Sequence, residues 1–190
     1  MSRGPAPHTE PVQTEAVNLD DYVRAMAQHV SSVCIITTQA GGERFGLTAT
    51  AVSSVCTTPP RLLVCVNKSG VTHEMIREAG HFCVNVLAED QDHLAKVFAG
   101  MAGKSAERFG MGAWNELVSG SPCLAGAASV FDCRVAALFD QHTHTVFFGD
   151  VVATRLTPSQ DPLLYGLRRF RHLRKIYSRA DSSEGEMLHL

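Results

Sequence analysis

The chain contains one stretch of unusually small side chains, within the segment GLTATAVSSVCTTPPRLLVCVN at residues 46–67. Between Thr48 and Ser54 no side chain is larger than valine. A strand with so few large side chains lets a ligand or another backbone approach closely. Threonine and small residues are equally ordinary in well-packed core strands. The residue types therefore leave two interpretations open, a ligand site and a pair of core strands.

Two other segments have residue types that bind phosphate. Residues 67–72, NKSGVT, follow an apolar run and precede a helical pattern. The backbone N–H groups of a helix N-terminus attract anions, although a simple capped turn would have the same sequence. GKS at residues 103–105 is a weaker signal, because the glycine spacing of a P-loop is missing.

Histidines and cysteines are the candidate metal ligands. His142 and His144 would share one face of an extended strand. No third ligand lies at a suitable spacing, and an exposed turn explains the pair equally well. The six cysteines form no C-x-x-C pair, and four lie in apolar runs, where cysteine usually serves as a small buried hydrophobe. We therefore predict no metal site and a reducing, cytoplasmic environment.

Charge and hydropathy argue against several classes of protein. Seventeen basic and nineteen acidic residues leave a formal net charge of −2. Residues 168–179 are rich in arginine, but without a nucleic-acid-binding motif we expect a solvated basic face and no nucleic-acid partner. No apolar run approaches the ~20 residues of a membrane span. The polar N-terminus lacks the apolar core of a signal peptide, so no membrane association is expected.

The apolar patterns predict a mainly β domain with peripheral helices. Residues 19–30 have one apolar helical stripe, with Asn18 as its cap, and Thr72 and Asp90 are predicted caps of two further helices. The predicted strands are residues 32–38, 44–55, 61–67, 81–87, 129–139 and 144–156. Short turns between strands, at Gly41-Gly42 and at residues 141–143, favour a β-barrel core.

Some details of these elements can be predicted as well. The prolines in residues 57–60 cannot donate to a ladder and must break the sheet. Residues 61–67 are apolar enough to be buried on both faces, and alternation in 129–139 places Asp132 and Arg134 on the face opposite Phe131 and Cys133. We expect residues 100–126 to be largely loop. Residues 1–18 are predicted to be a flexible arm, 19–177 one domain and 178–190 a polar tail.

Five segments occur in an order that resembles a known family. They are GLTATAVSSV, TTPPRLLVCVNKSGVTHEMI, FCVNVL, GKSAERF and HTVFFGDVV. The chain is similar, over roughly residues 20–177, to the short-chain NAD(P)H:flavin reductases, the reductase components of two-component flavin-dependent monooxygenases. The resemblance implies an FMN-binding split barrel, usually a homodimer, that transfers a hydride from NADH or NADPH to FAD or FMN.

The resemblance also assigns the flavin contacts. The stretch of small residues would contact the flavin ring and ribityl chain, because bulky side chains there would hold a flat ring away from the backbone. Its implied contact residues are Thr48, Ala49, Thr50, Ala51 and Ser54. The turn before the second helix would continue the site at Cys65, Val66, Asn67, Lys68, Ser69 and Thr72. A second phosphate clamp is implied at Gly103, Lys104, Ser105 and Arg108, with Phe109 as a wall against the flavin.

The nicotinamide side of the site is implied by two later segments. His144 falls on the histidine of a Gly-Asp-His triplet that the family often has, and would be the catalytic-site residue that contacts the nicotinamide. Thr143 replaces the acidic residue of that triplet. Arg169 and Phe170 match an arginine and an aromatic residue that reach the nucleotide cleft. Leu167 stands where the family often has another arginine.

Taken together, the resemblance implies an NAD(P)H-dependent flavin reductase. It would supply diffusible reduced flavin to a partner monooxygenase in the degradation of an aromatic compound. Two alternatives stay open at this point. One is a split-barrel oxidase with prosthetic FMN, like the relatives of pyridoxamine-phosphate oxidase. The other is a flavin-binding electron carrier or sensor without turnover.

Overall fold

The computed structural model describes residues 17–101 and 105–174. The predicted tail, and the predicted arm apart from residues 17 and 18, lie outside this part of the chain. The helices are α1 (Leu19–Met26), α2 (Val71–Ala79), α3 (Asp92–Lys96) and α4 (Ser105–Phe109), with a π-helical turn at Val97–Met101. The strands are β1 (Ser31–Ser32), β2 (Cys34–Ala40), β3 (Glu43–Ala49), β4 (Val52–Thr57), β5 (Pro60–Asn67), β6 (His81–Val86), β7 (Trp114–Asn115), β8 (Cys123–Leu124), β9 (Ser129–Gln141), β10 (His144–Leu156), β11 (Leu164–Gly166) and β12 (Arg169–Arg171).

Seven antiparallel strands form the main sheet, in the order β3-β2-β6-β9-β10-β5-β4. The outermost strands, β3 and β4, are separated in the chain by Thr50 and Ala51 alone. Since two residues cannot span a flat seven-stranded sheet, the sheet must curl until its edges meet. The strands β3 and β4 do not pair with each other, so the barrel stays open at this point. The predicted split barrel is confirmed.

Apolar side chains cover both faces of the curled sheet. One cluster draws Ile36, Val64, Phe82 and Phe147 from four different strands and fills the barrel. The other cluster packs Ile35 and its neighbours under α3, α4 and the loop that follows α4. Neighbouring residues of β2 therefore enter opposite clusters, as the period of a strand requires.

The long β9–β10 hairpin bends where its register shifts, between Phe148 and Gly149 and again between Val151 and Ala153. At the first bend the sheet leaves no room for a side chain. A Cβ on Gly149 would lie 2.6 Å from the ring of Phe82 and 2.8 Å from Cβ of Cys133. Glycine thus lets β10 pass close to β6 and β9 where the barrel curves.

Several local predictions hold in this structure. The Asn18 side chain accepts a hydrogen bond from the N–H of Asp20 at 2.8 Å and caps α1. Gly41 and Gly42, with φ of 58° and 81°, form the predicted turn between β2 and β3. The turn at residues 141–143 is also present, between β9 and β10.

Other local predictions are wrong for reasons of tertiary structure. The strand predicted for 44–55 is two strands, because the chain changes from one edge of the sheet to the other at Thr50-Ala51. β5 alternates between buried and half-exposed side chains and is not buried on both faces, since β4 and β5 lie beside an open groove.

One polar residue of β9 is buried, and two predicted helix caps have other positions. Asp132 is fully buried, because its carboxylate accepts hydrogen bonds from the N–H groups of Val118 and Ser119 at 2.8 and 2.7 Å. Thr72 lies inside α2, whose N-cap position is Gly70. Asp90 likewise does not cap α3, which has Gln91 at its N-cap position.

Candidate active site

A cavity of about 400 Å³ lies at the split in the barrel, and four elements converge on it. The β3–β4 connection forms one side, the end of β5 and the start of α2 a second, the start of β10 a third, and the π-helical turn a fourth. Its lining residues are Leu47, Thr48, Ala49, Thr50, Ala51, Cys65, Asn67, Ser69, Gly70, Phe98, Ala99 and His144. Most of the wall is therefore small side chains and backbone.

The small-residue wall is fixed in place from behind. The Thr48 hydroxyl donates a hydrogen bond of 2.7 Å to the carbonyl of Ala95 and ties β3 to α3. Phe98 packs directly on β3. Its ring is so close that a Cβ on Gly46 would lie only 2.8 Å from it. Since β3 is an edge strand, one row of its backbone N–H and C=O groups pairs with no other strand. The wall is therefore held in place by the Thr48 hydrogen bond and Phe98, and it presents backbone polar groups along its edge.

Strand register places the polar end of the cavity. The first residue of β10, His144, lies opposite the last residue of β5, Asn67. The Asn67 side chain accepts a hydrogen bond from the N–H of Ser69 at 2.9 Å and shapes the turn into α2. No side chain caps α2 at Gly70. The first turn of α2 therefore offers backbone N–H groups to an anion.

His144 is exposed and lies at the rim of this cavity. Its Nδ1 shares a hydrogen bond of 2.8 Å with the hydroxyl of Thr143. Thr143 therefore orients the ring in place of the acidic residue of the family triplet, and Nε2 is the nitrogen available to a ligand. Burial raises the pKa of Cys65, on the neighbouring strand.

A second cavity, of about 490 Å³, shares the wall from Thr48 to Thr50 with the first. Its outer side is basic and aromatic, with Lys96, Arg168, Arg169 and Phe170. The Lys96 ammonium lies 5.6 Å from the centre of the Phe170 ring, within the range of a cation–π contact. The two cavities adjoin at this shared wall and are together called the cleft, with a polar end at α2 and a basic aromatic end at β12.

The β11–β12 turn that presents this basic end has an uncommon backbone. Leu167 and Arg168 have φ of 53° and 59°, in the left-handed region that usually suits glycine or asparagine. The Leu167 N–H donates a hydrogen bond of 2.6 Å to the carbonyl of Ala27, which anchors the turn beside α1.

The structure brings together ten of the predicted site residues. The first cavity contains Thr48, Ala49, Thr50, Ala51, Cys65, Asn67, Ser69 and His144. The second contains Arg169 and Phe170 and shares the predicted residues Thr48, Ala49 and Thr50 with the first.

Other predicted residues do not line the cleft. Ser54 lines a separate groove of about 570 Å³ beside β4 and β5. Val66 and Thr72 have buried side chains, since they face inward from β5 and α2. Phe109 packs against Phe98 and Trp114 in the core, with ring centres 5.1 and 4.9 Å apart, and lines neither cavity.

The basic residues predicted to bind phosphate have other positions. Lys68 forms an ion pair with Asp140, at 3.4 Å. Arg108 is half-buried on α4 and lines neither cavity. Gly103 and Lys104 lie outside the described residues, and for Ser105 the structure gives only its place as the first residue of α4.

Sequence reasoning missed the residues that close the cleft from the α3 side, namely Lys96, Phe98 and Ala99. They fall in or just after the helix that the sequence predicts behind Asp90, but nothing in that pattern indicates which strand the helix faces. Arg168 was recognised only as part of a basic segment.

Two properties of the described residues bear on the class of site. None of the helices in residues 17–101 and 105–174 is long and apolar enough to cross a membrane. Within the same ranges, no three histidine, cysteine or acidic side chains are grouped closely enough to hold a metal ion.

Comparison with known proteins identifies the family. Residues 26–174 match the flavin reductase like domain family. The FMN reductase (NADH) RutF of Stutzerimonas stutzeri is 42% identical over 154 residues, which cover 81% of this chain and 88% of that protein.

Solved structures give the same result. A flavin reductase structure from Haemophilus somnus has a TM-score of 0.80 at 32% identity, covering 83% of this chain and 100% of that one. The NADH:FAD oxidoreductase of Streptomyces globisporus, in complex with NAD and FAD fragments, has a TM-score of 0.77 at 30% identity, covering 87% and 100%. BorF, the flavin reductase component of a bacterial two-component tryptophan halogenase, has a TM-score of 0.76 at 27% identity, covering 83% and 99%. The chain belongs to the flavin reductase family of oxidoreductases.

Proposed function

We propose that this protein transfers a hydride from NADH to FMN and releases the reduced flavin. The observation that carries the proposal is the shared wall from Thr48 to Thr50, against which two ligands can lie side by side in one cleft. The choice of FMN and NADH is supported by the RutF relative, whose name specifies both.

The residues of the first cavity fit a flavin. A flat ring needs a wall without bulky side chains, which Ala49, Thr50 and Ala51 provide. An edge strand supplies backbone N–H and C=O groups for the polar edge of the ring. The uncapped first turn of α2 offers N–H groups to the phosphate. The first cavity can therefore hold both the flavin ring and its phosphate through small side chains and backbone groups.

The residues of the second cavity fit the nicotinamide nucleotide. Phe170 provides an apolar surface, while Lys96 and Arg169 lie beside it for the phosphates. His144, at the rim of the first cavity, would orient the nicotinamide carboxamide through Nε2. The bound flavin supplies the hydride acceptor. The protein's part is to stack the two rings in contact and to exclude water between them, since hydride transfer requires close approach.

Flavin acts as a substrate in this proposal, and it leaves after each turnover. The cleft is open at the barrel surface, and we expect an affinity of about 1 μM, or about 8 kcal/mol, which allows exchange. The reduced flavin would reach a monooxygenase component by diffusion. BorF, a component of a two-component system that acts on tryptophan, supports a separate partner and an aromatic compound as the partner's substrate.

The experiment places this protein with NADH and FMN on one side of a membrane permeable only to small molecules. A flavin-dependent monooxygenase and its aromatic substrate are on the other side, under low oxygen. Product on the far side supports diffusible flavin. If NADH is consumed without added flavin, and flavin stays bound through dialysis, the flavin is prosthetic. If NADH is not consumed with any flavin, the protein is a carrier or sensor.

A homodimer is the proposed assembly. The apolar stripe of α1, with Leu19, Tyr22, Val23 and Met26, is exposed in the single chain. An apolar surface of this kind is typical of a protein–protein interface. We also propose a cytoplasmic location, supported by six free cysteines, four of them buried.

A further inference from the structure

The ammonium group of Lys68 is engaged outside the flavin cavity. Asn67 and Ser69, the residues on either side of it, both line the cavity, and Lys68 does not. Its Nζ lies 3.4 Å from Oδ1 of Asp140, near the end of β9. The Lys68 N–H donates to the carbonyl of Thr143 at 2.9 Å, which keeps the backbone beside the hairpin. Lys68, in the turn between β5 and α2, is thus paired with a carboxylate of the protein.

Asp140 is itself held firmly in the position that engages Lys68. The Thr145 hydroxyl donates a hydrogen bond of 2.5 Å to its Oδ1. Nη1 of Arg77, on α2, lies 3.3 Å from both carboxylate oxygens. Behind Thr145, the buried His73 lies with Nε2 2.7 Å from the hydroxyl oxygen.

These contacts keep the carboxylate charged. The pKa of Asp140 is lowered to about 2, chiefly by the Thr145 hydrogen bond, with Arg77 and Lys68 adding to it. A carboxylate with this pKa is ionised throughout the pH range in which the enzyme could work, so its hold on Lys68 does not depend on pH there.

We propose that Asp140 is a specificity-determining residue that competes with the flavin phosphate for Lys68. The inference rests on the proposed function of the cavity as a flavin site. A lysine one residue from two cavity-lining residues can reach either anion, but pairing with one weakens its pairing with the other. Asp140 thereby lowers the preference for FMN over riboflavin, which lacks the phosphate. A weaker hold on phosphate favours release of flavin after each turnover.

The test measures dissociation constants for FMN and riboflavin, by quenching of flavin fluorescence, in the full chain. The decisive quantity is the ratio of the riboflavin constant to the FMN constant. Asp140→Asn keeps an oxygen that accepts the Thr145 hydrogen bond and removes the charge. We expect this variant to raise the ratio about two- to fivefold, the range typical of a partly exposed ion pair. Lys68→Ala alone should change the ratio less than twofold, since Lys68 is already engaged.

Two further variants separate competition from a general change of charge. In the double variant Asp140→Asn/Lys68→Ala, the increase in the ratio of dissociation constants should disappear. Asp150→Asn is the matched control, because Asp150 is also on the β9–β10 hairpin and pairs with Arg61 at 2.7 Å. The side chains of Asp150 and Asp140 are similarly exposed, at 41% and 46%. The control should leave the ratio unchanged.

Several outcomes would overturn the inference. An unchanged ratio in Asp140→Asn shows that the carboxylate does not compete. The same gain in the double variant, or in Asp150→Asn, shows that net charge alone is responsible. If Asp140→Asn fails to fold, a large loss of FMN preference in Lys68→Ala refutes the competition, because Lys68 would then already bind the phosphate. If the wild type binds neither flavin, the proposed function fails and the inference fails with it.

Discussion

Thr50 is shared by all the cavities around the β3–β4 connection. It lines both parts of the cleft and also the groove of about 570 Å³ beside β4. Thr50→Leu should therefore weaken FMN binding at least about tenfold, because the longer leucine side chain would occupy the ring position. Flavin fluorescence titration measures the change.

Ser54→Leu provides the comparison for Thr50→Leu. Ser54 lines the separate groove and neither part of the cleft. FMN affinity should therefore change less than twofold in this variant. A Thr50→Leu protein that binds FMN normally would place the flavin ring elsewhere.

His144 is predicted to act on the nicotinamide side of the cleft. His144→Ala should raise the KM for NADH about three- to tenfold, because the loss of one hydrogen bond corresponds to a change of this size. The effect on FMN affinity should be smaller. Steady-state kinetics with each substrate varied in turn gives both quantities. Thr143→Val should show a weaker form of the same defect, because Thr143 holds Nδ1. Loss of FMN affinity with an unchanged KM for NADH would assign His144 to the other ligand.

Cysteine reactivity can locate the flavin directly. Cys56 is exposed and Cys65 is half-buried in the wall of the first cavity. Burial raises the pKa of both Cys34 and Cys133 to about 12. At pH 8 these two buried thiols should stay protonated and should not be alkylated in the folded protein.

Bound FMN should protect Cys65 from iodoacetamide and leave Cys56 reactive. Peptide mass spectrometry at increasing times of labelling measures each site separately. Equal protection of both cysteines would mean that FMN acts through a change in the whole fold and not by covering the wall.

At the scale of elements, the bend of the β9–β10 hairpin depends on one missing side chain. A Cβ on Gly149 would lie 2.6 Å from the Phe82 ring, which is fully buried and cannot move freely. Gly149→Ala should therefore reduce the free energy of unfolding by about 1–3 kcal/mol through overpacking. Urea denaturation followed by circular dichroism measures it.

Val152→Ala, at an exposed position of the same strand, is the control for this bend. This variant should lower the free energy of unfolding less than Gly149→Ala does, since it places no extra atoms in the core. If the two variants are equally stable, the close approach of β10 to β6 does not constrain the barrel.

At the scale of the whole molecule, the exposed stripe of α1 predicts an interface between two copies. No residue of α1 is buried, although its apolar side chains lie on one face. Tyr22→Glu should separate the proposed dimer into monomers, because a charge would be buried at the contact. Sedimentation velocity measures the mass of each form. Glu43→Gln, on an exposed end of β3, should stay dimeric. A wild-type monomer would refute the dimer.

The sequence by itself determined the elements that depend on neighbours in the chain. Asn18 and the Gly41-Gly42 pair act through local hydrogen bonds and backbone conformation, so their roles follow from residue type. The order of strands and the small stretch from Thr48 to Ala51 also appear in the sequence, because side-chain size and hydrophobic period are local properties. Most of the lining of the first cavity could therefore be predicted, and the resemblance to the family implies its ligand.

Contacts between distant segments were decided only by the tertiary structure. A local pattern cannot show that the chain crosses between the two edges of the sheet at Thr50, nor that Asp132 is buried by a loop more than ten residues away. It also cannot show that Lys68 is paired with Asp140, over seventy residues further along. Which side chains face the cleft, and which are engaged elsewhere, depends on strand register and on packing across the barrel. Those relations join residues that are far apart in the chain, and so the fold must form before they exist.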